Sequence, residues 1–144
     1  DHPGDHPAVY HVVQQSEGIL MLCDSLRARD ESVPEDLFCL KLLNYLLSLH
    51  RRRHPREIPP LAIVFTKADC CREAFDDPGQ FAANCLPRMV HCCRGNQVPH
   101  QFFAASVVGS SARLIDDRGC LCQIPFHLEP RGLVEPLEWI INAI

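Results

Sequence analysis

The segment LAIVFTKAD, residues 61–69, joins an apolar run directly to three polar side chains. Its first six residues are mostly apolar and β-branched, which predicts a strand at 61–66 that is covered on both faces. Thr66, Lys67 and Asp69 stand at the carboxyl end of that strand. In open α/β sheets, ligands bind in the crevice outside the carboxyl ends of the strands. We therefore expect these polar side chains to face a ligand rather than the core.

Strands and helices alternate along the rest of the chain. Apolar runs predict a strand at 18–24 (GILMLCD), also covered on both faces, and another at 101–106 (QFFAAS). Helices are predicted at 7–16, 33–53, 78–95 and 135–144, with a break near Pro87 and an end at Gly95. Strands separated by helices form parallel sheets with helices on both faces. The predicted fold class is α/β, a three-layer αβα parallel sheet that forms one domain over residues 1–144.

Two of these segments carry further detail. The helix 33–53 is predicted to turn an apolar face toward the core. The face consists of Phe38, Leu42, Tyr45, Leu46 and Leu49, widened by Leu40, Leu43 and Leu47. Between the third strand and the last helix, Asp-Arg-Gly stands between apolar residues within 112–130, which indicates a β-hairpin insertion.

Composition limits the classes of function. The chain is 47% hydrophobic and 22% charged, as soluble globular proteins are. Its net charge of −4 gives no basic excess for nucleic acid, and the basic run at 50–56 suits the end of a helix. No apolar run approaches the roughly 20 residues of a membrane span, and no signal peptide opens the sequence. These observations predict a cytoplasmic protein.

The nine cysteines leave two interpretations open. Their odd number disfavours a closed disulfide framework, and the Cys-Cys pairs lack the spacing of zinc knuckles. Reduced thiols, several of them buried, are one interpretation. The segment HCCRGNQVPH (91–100) could instead supply a His/Cys set for zinc.

Three motifs in a fixed order carry a resemblance. The chain has DHPG at 1–4, TKAD at 66–69 and FFAASVV at 102–108. In this order and spacing they resemble the C-terminal two-thirds of a Ras-like, TRAFAC-type P-loop GTPase domain. DHPG resembles the D-x-x-G motif, TKAD the guanine-recognition motif, and FFAASVV the strand that ends in the Ser-containing base-contact loop.

The resemblance implies a guanine site at the strand ends. Asp69 would accept N1–H and the 2-amino group of guanine, while Lys67 would lay its aliphatic stem along the base. Thr66 would brace the neighbouring loops. After Ser106, the backbone N–H of Val107 or Val108 would reach the guanine O6. The alternative is that Lys67 and Asp69 form a solvated pair at the end of a strand.

The resemblance also implies a phosphate and metal site near the start of the sequence. Asp1 would hold Mg²⁺ through a water molecule, and the Gly4 backbone N–H would contact the γ-phosphate. Asp5 stands where this family places a water-orienting Gln, so intrinsic hydrolysis would be slow. His6 would either orient the water or belong to a polar loop. Residues 4–16 would then be a switch that binds a protein partner.

No G-x-x-x-x-G-K-[ST] motif occurs in the 144 residues. Either the chain is a segment of a longer protein whose phosphate loop lies upstream, or it is a relative that has lost that loop. The predicted function is a regulatory GTPase domain that binds GTP or GDP with Mg²⁺. The alternative is a pseudo-GTPase scaffold, an interaction module without catalysis.

Overall fold

A three-stranded parallel sheet forms the centre of the computed structural model, which describes residues 7–53 and 58–144. Its strands are β1 (Ile19–Asp24), β2 (Leu61–Thr66) and β3 (His100–Ala104), in the order β1-β2-β3. Ile19 pairs with Leu61, and Leu61 pairs with His100, so the three strands start level. The predicted mixed α/β class with a parallel sheet is therefore confirmed.

Helices connect and cover the strands. In chain order they are α1 (Pro7–Gln15), α2 (Ser25–Arg29), α3 (Glu35–Arg53), α4 (Arg72–Asp76), α5 (Pro78–Cys85), α6 (Pro87–Gly95) and α7 (Glu135–Ala143). A 3₁₀ turn (Ala68–Cys70) follows β2. The predicted break at Pro87 separates α5 from α6. Proline has no backbone N–H to donate to the preceding turn, so it ends α5 and can only begin a new helix.

The main core lies on one face of the sheet. Alternate residues of a strand point to opposite faces, and on this face β2 contributes Leu61, Ile63 and Phe65. They pack against apolar side chains of α2 to α6, and the ring of Phe65 meets that of Phe81 edge to face at 4.9 Å between centroids. Aromatic pairs in this arrangement stabilise a core beyond their buried area.

Helix α7 covers part of the opposite face. Trp139 lies against Phe103 of β3, with ring centroids 6.1 Å apart, and Ala62 and Val64 of β2 are buried. A Cβ atom at Gly18 would lie 2.3 Å from Cγ2 of Ile140, so only glycine lets α7 approach the start of β1 this closely. Both faces of β2 are covered, as the sequence predicts.

For β1 the same prediction is wrong. Met21 and Cys23 are buried, but Leu20 and Leu22 on the other face are 43% and 64% exposed. The reason is position: β1 is an edge strand of the described sheet, and α7, which approaches its start at Gly18, leaves Leu20 and Leu22 exposed. An uninterrupted apolar run therefore predicts burial of both faces here for the central strand but not for the edge strand.

The predicted face of α3 is confirmed at most of its positions. Leu43 and Leu47 are buried together with Cys39, which lies outside the predicted face, whereas Phe38 is 59% exposed. Leu49 is buried as predicted. Because apolar residues surround most of this helix, its periodicity does not distinguish Phe38 from the buried positions.

The hairpin insertion is confirmed and is longer than predicted. Strands β4 (Ser106–Ile115) and β5 (Leu121–Arg131) pair antiparallel, starting with Ser106 opposite Arg131. At the turn, Gly119 has a φ of +77° and donates its N–H to the carbonyl of Asp116 at 2.9 Å. Leu114 and Leu128 are exposed, so the hairpin extends away from the core.

Within residues 7–53 and 58–144, no helix has both the length and the apolar character needed to cross a membrane.

Candidate guanine-recognition site

The carboxyl ends of β1, β2 and β3 meet at one edge of the sheet. Asp24 pairs with Thr66 across the β1–β2 boundary. The segment after β3 is bound to β2 and to the turn that follows β2 by two hydrogen bonds. The Ala105 N–H donates to the Phe65 carbonyl at 2.8 Å, and the Ala68 N–H donates to the Ala105 carbonyl at 3.2 Å. Residues far apart in sequence therefore share one small region.

Thr66 braces this edge from within. Its hydroxyl donates to the Cys23 carbonyl at 3.3 Å, across the boundary between β2 and β1. The side chain is half-buried and turned toward β1. Such a bond fixes the end of the central strand relative to its neighbour.

Lys67 has an unusual backbone conformation. Its φ of 56° and ψ of 31° place it in the left-handed region, which costs a residue with a Cβ atom on the order of 1–2 kcal/mol. The hydroxyl of Ser25, which is fully buried, donates to the Lys67 carbonyl at 3.2 Å. The Cys70 N–H donates to the same carbonyl at 3.0 Å. These two bonds hold the strained turn.

The ammonium group of Lys67 is held by a second residue of the β1 end. Its Nζ lies 2.5 Å from Oδ2 of Asp24. The other carboxylate oxygen of Asp24 accepts the N–H groups of Leu26 and Arg27, at 3.0 and 3.4 Å, at the start of α2. Asp24 therefore caps a helix and pairs with Lys67 at the same time.

Charge and hydrogen bonding shift the pKa of both partners. Partial burial raises the pKa of Asp24, but the bond from Lys67 and the two backbone donors outweigh burial and leave that pKa below its ordinary value. The hydrogen bond to Asp24 raises the pKa of Lys67 above its ordinary value. Both side chains are ionised at neutral pH.

Asp69 presents a carboxylate to solvent. Its Oδ1 accepts the hydroxyl of Ser106 at 2.6 Å, and its Oδ2 lies 3.3 Å from the Cys70 thiol, which donates to it. Ser106 is only 5% exposed, whereas Asp69 is exposed. A buried hydroxyl thus fixes the rotamer of an accessible acid. Each carboxylate oxygen has two lone pairs, so both retain acceptor capacity for a ligand.

The segment after Ser106 is strand rather than the predicted loop. Val107 and Val108 belong to β4, and the Val108 N–H donates to the Ser106 hydroxyl oxygen at 3.1 Å. Strand pairing with β5 begins at Ser106 itself, which explains the difference. Val107 is exposed beside the Ser106–Asp69 pair.

The structure thus brings together six of the predicted site residues, namely Thr66, Lys67, Asp69, Ser106, Val107 and Val108. The other predicted residues are Asp1, Gly4, Asp5 and His6, which lie outside the described residues. The Mg²⁺ ligand implied by the resemblance is among them.

The sequence does not predict two of the contacts that hold Lys67. Asp24 is the last residue of the predicted strand 18–24, but its bond to Lys67 depends on the β1–β2 register. Ser25 gave no signal beyond its place after Asp24, and its partner is a carbonyl 42 positions away. Pairings of this kind require the topology of the sheet.

The cysteines of the described region are free thiols, and Cys23, Cys39, Cys71 and Cys93 are buried. In that region no three His, Cys, Asp or Glu side chains are grouped so that they could hold a metal ion.

Comparison of the chain with protein families, curated proteins and solved structures gives no match.

Proposed function

We propose that this edge of the sheet binds the guanine base of GTP or GDP. The observation that carries the proposal is the exposed carboxylate of Asp69, held by the buried hydroxyl of Ser106 at 2.6 Å. Guanine presents N1–H and its 2-amino group side by side, and a carboxylate accepts both at once. Adenine does not offer two donors on that edge, so Asp69 selects guanine.

The neighbours of Asp69 complete the base site. The exposed stem of Lys67, held at its end by Asp24, offers an apolar surface to the base plane. Of the two predicted donors to the guanine O6, Val108 already donates to Ser106, so Val107 is the stronger candidate. Thr66 keeps β2 in place.

The proposal extends to a regulatory GTPase. Asp1 and Gly4 are proposed to serve Mg²⁺ and the γ-phosphate, and Asp5 and His6 to serve the attacking water, as the resemblance implies. The second candidate is a pseudo-GTPase scaffold. It is favoured by one observation: Asp5 stands where the family places a water-orienting Gln, and an acid there would repel the γ-phosphate and slow hydrolysis.

The base assignment is tested by Asp69→Asn. The amide replaces one acceptor oxygen with an N–H₂ donor, which faces the 2-amino group or N1–H of guanine. An unmatched donor costs on the order of 1–3 kcal/mol, so GTP affinity should fall at least about tenfold. Xanthine has a carbonyl in place of the 2-amino group, so the mutant should gain affinity for xanthosine triphosphate.

The measurement is a competition titration of both nucleotides on the intact protein. Asp76→Asn is the matched control, because Asp76 is an exposed acid on α4 that pairs only with Arg72 among the described ion pairs. An unchanged preference in Asp69→Asn would show that Asp69 does not touch the base. Phosphate release from GTP then separates the two candidates: turnover supports the GTPase, and binding without turnover supports the scaffold.

A further inference from the structure

Two residues where β1 meets α2 hold Lys67, the residue of the proposed base site that has a left-handed backbone conformation. Asp24 and Ser25 are adjacent, and together they hold both ends of Lys67. The Asp24 carboxylate binds the ammonium at 2.5 Å, and the Ser25 hydroxyl binds the backbone carbonyl at 3.2 Å. Neither residue belongs to the TKAD motif.

The carboxylate of Asp24 has little freedom to rotate. Its Oδ1 accepts two N–H groups at the start of α2, which leaves Oδ2 aimed at Lys67. Its backbone is fixed as well, because Asp24 pairs with Thr66 at the end of β1. The position of the Lys67 ammonium is thus set by the sheet register and by α2.

We propose that Asp24 is a positioning residue for guanine-nucleotide binding and acts by holding the Lys67 side chain across the base site. This inference rests on the proposed function. A lysine side chain has many rotamers and loses much of that entropy when it is fixed. A stem that is fixed before the ligand arrives avoids that loss on binding, and its flat apolar surface is available to the base.

Two substitutions separate the charge of Asp24 from its capping role. Asp24→Asn and Asp24→Ser each retain an oxygen that can cap α2, since Asn and Ser are good N-cap residues. Neither retains the carboxylate that holds Lys67. We expect both variants to keep the melting temperature of the wild type within a few degrees and to bind GDP about tenfold more weakly.

A double-mutant cycle shows whether Asp24 acts through Lys67. In a Lys67→Met background, Asp24→Asn should have no further effect on GDP affinity, because the side chain that Asp24 holds is gone. Asp30→Asn is the control, since Asp30 is an exposed acid beyond the other end of α2 that bonds to Ser32. An equal loss of affinity with and without Lys67 would overturn the proposal, and so would wild-type affinity in Asp24→Asn.

A measurement without nucleotide separates this inference from the proposed function. In an NMR titration that follows the Cε signal of Lys67, the pKa of Lys67 should fall toward its ordinary value in Asp24→Asn and should stay unchanged in Asp30→Asn. No change in Asp24→Asn would refute the ion pair and with it the positioning role. If the pKa falls but the wild-type protein binds no guanine nucleotide, the proposed function fails, and the role of Asp24 in nucleotide binding fails with it.

Discussion

Gly132 lies directly on the carbonyl of Ala104. A Cβ atom built on Gly132 would stand 1.8 Å from that oxygen and 3.2 Å from Cα of Ala105. Gly132 also has a φ of +66°, so both its conformation and its surroundings require glycine. The contact joins the end of the hairpin to the end of β3, immediately before Ser106.

Gly132→Ala should therefore destabilise the protein more than the same change at Gly119. Gly119 also has a positive φ, but a Cβ atom added there would meet nothing within 4 Å. We expect Gly119→Ala to cost about 1–2 kcal/mol from backbone strain alone. Gly132→Ala should cost about 1–3 kcal/mol more, because main-chain atoms of β3 must move. Urea unfolding of both variants measures the difference, and equal losses would contradict the contact with Ala104.

The centre of the core makes a second prediction. Phe65 is fully buried, meets Phe81 edge to face and stacks on Phe102 at 6.3 Å between centroids. Phe65→Ala should lower the free energy of unfolding by about 3–5 kcal/mol. The control is Phe38→Ala on α3, whose ring is exposed and which should change stability by about 0.5 kcal/mol or less. Comparable losses in urea unfolding would show that the buried face of α3 is misassigned.

The ion pair of Asp24 and Lys67 predicts how stability depends on pH. The pKa of Asp24 is lowered from 3.8, so its contribution is present above that value and is lost as pH falls through the lower, folded-state pKa. The pKa of Lys67 is raised from 10.5, so its contribution is present below that value and is lost as pH rises through the higher, folded-state pKa.

Unfolding free energies measured from pH 2 to 12 on the wild type and on Asp24→Asn provide the test. The difference between the two proteins should be constant between about pH 5 and 9 and should shrink toward both ends. A difference that does not change with pH would mean that the charge of Asp24 contributes nothing to stability.

The reactivity of the thiols should differ according to their burial. The Sγ atoms of Cys23 and Cys39 lie 3.7 Å apart in the core, and burial raises the pKa of Cys93 to about 12. Cys120 is exposed at the hairpin turn. Since the thiolate is the reactive form, an aromatic disulfide reagent at neutral pH should label Cys120 first and Cys93 only on unfolding. Mass spectrometry of the labelled peptides gives the order, and early labelling of Cys93 would contradict its burial.

Sequence patterns predicted the sheet well because both faces of its central strand are buried. Every residue of β2 from Leu61 to Phe65 is buried, so an uninterrupted apolar run describes it fully. The pattern in β1 is almost the same, yet Leu22 is exposed. The sequence shows that a side chain is apolar, but the elements that pack against its strand decide whether it is covered.

The candidate site was predicted only in part, for a similar reason. Thr66, Lys67 and Asp69 are neighbours in sequence, and a strand end places them together whatever the topology. The partners of Lys67 and Asp69 depend on which strands are adjacent, since Asp24 and Ser106 come from β1 and from the segment after β3. The motif therefore predicts the candidate site residues, whereas the residues that hold them follow from the order of the strands in the sheet.

The hairpin begins at Ser106, the residue that orients Asp69, so a small rotation at the candidate site moves the far end of the hairpin by a larger distance. Ten residues of β4 at about 3.4 Å each extend roughly 34 Å from Ser106 to the turn. A tilt of about 5° at the root would displace the tip by roughly 3 Å over that length. Small rearrangements around Ser106 would therefore be magnified at the far end of β4 and β5, where a distance probe attached at Cys120 would register them.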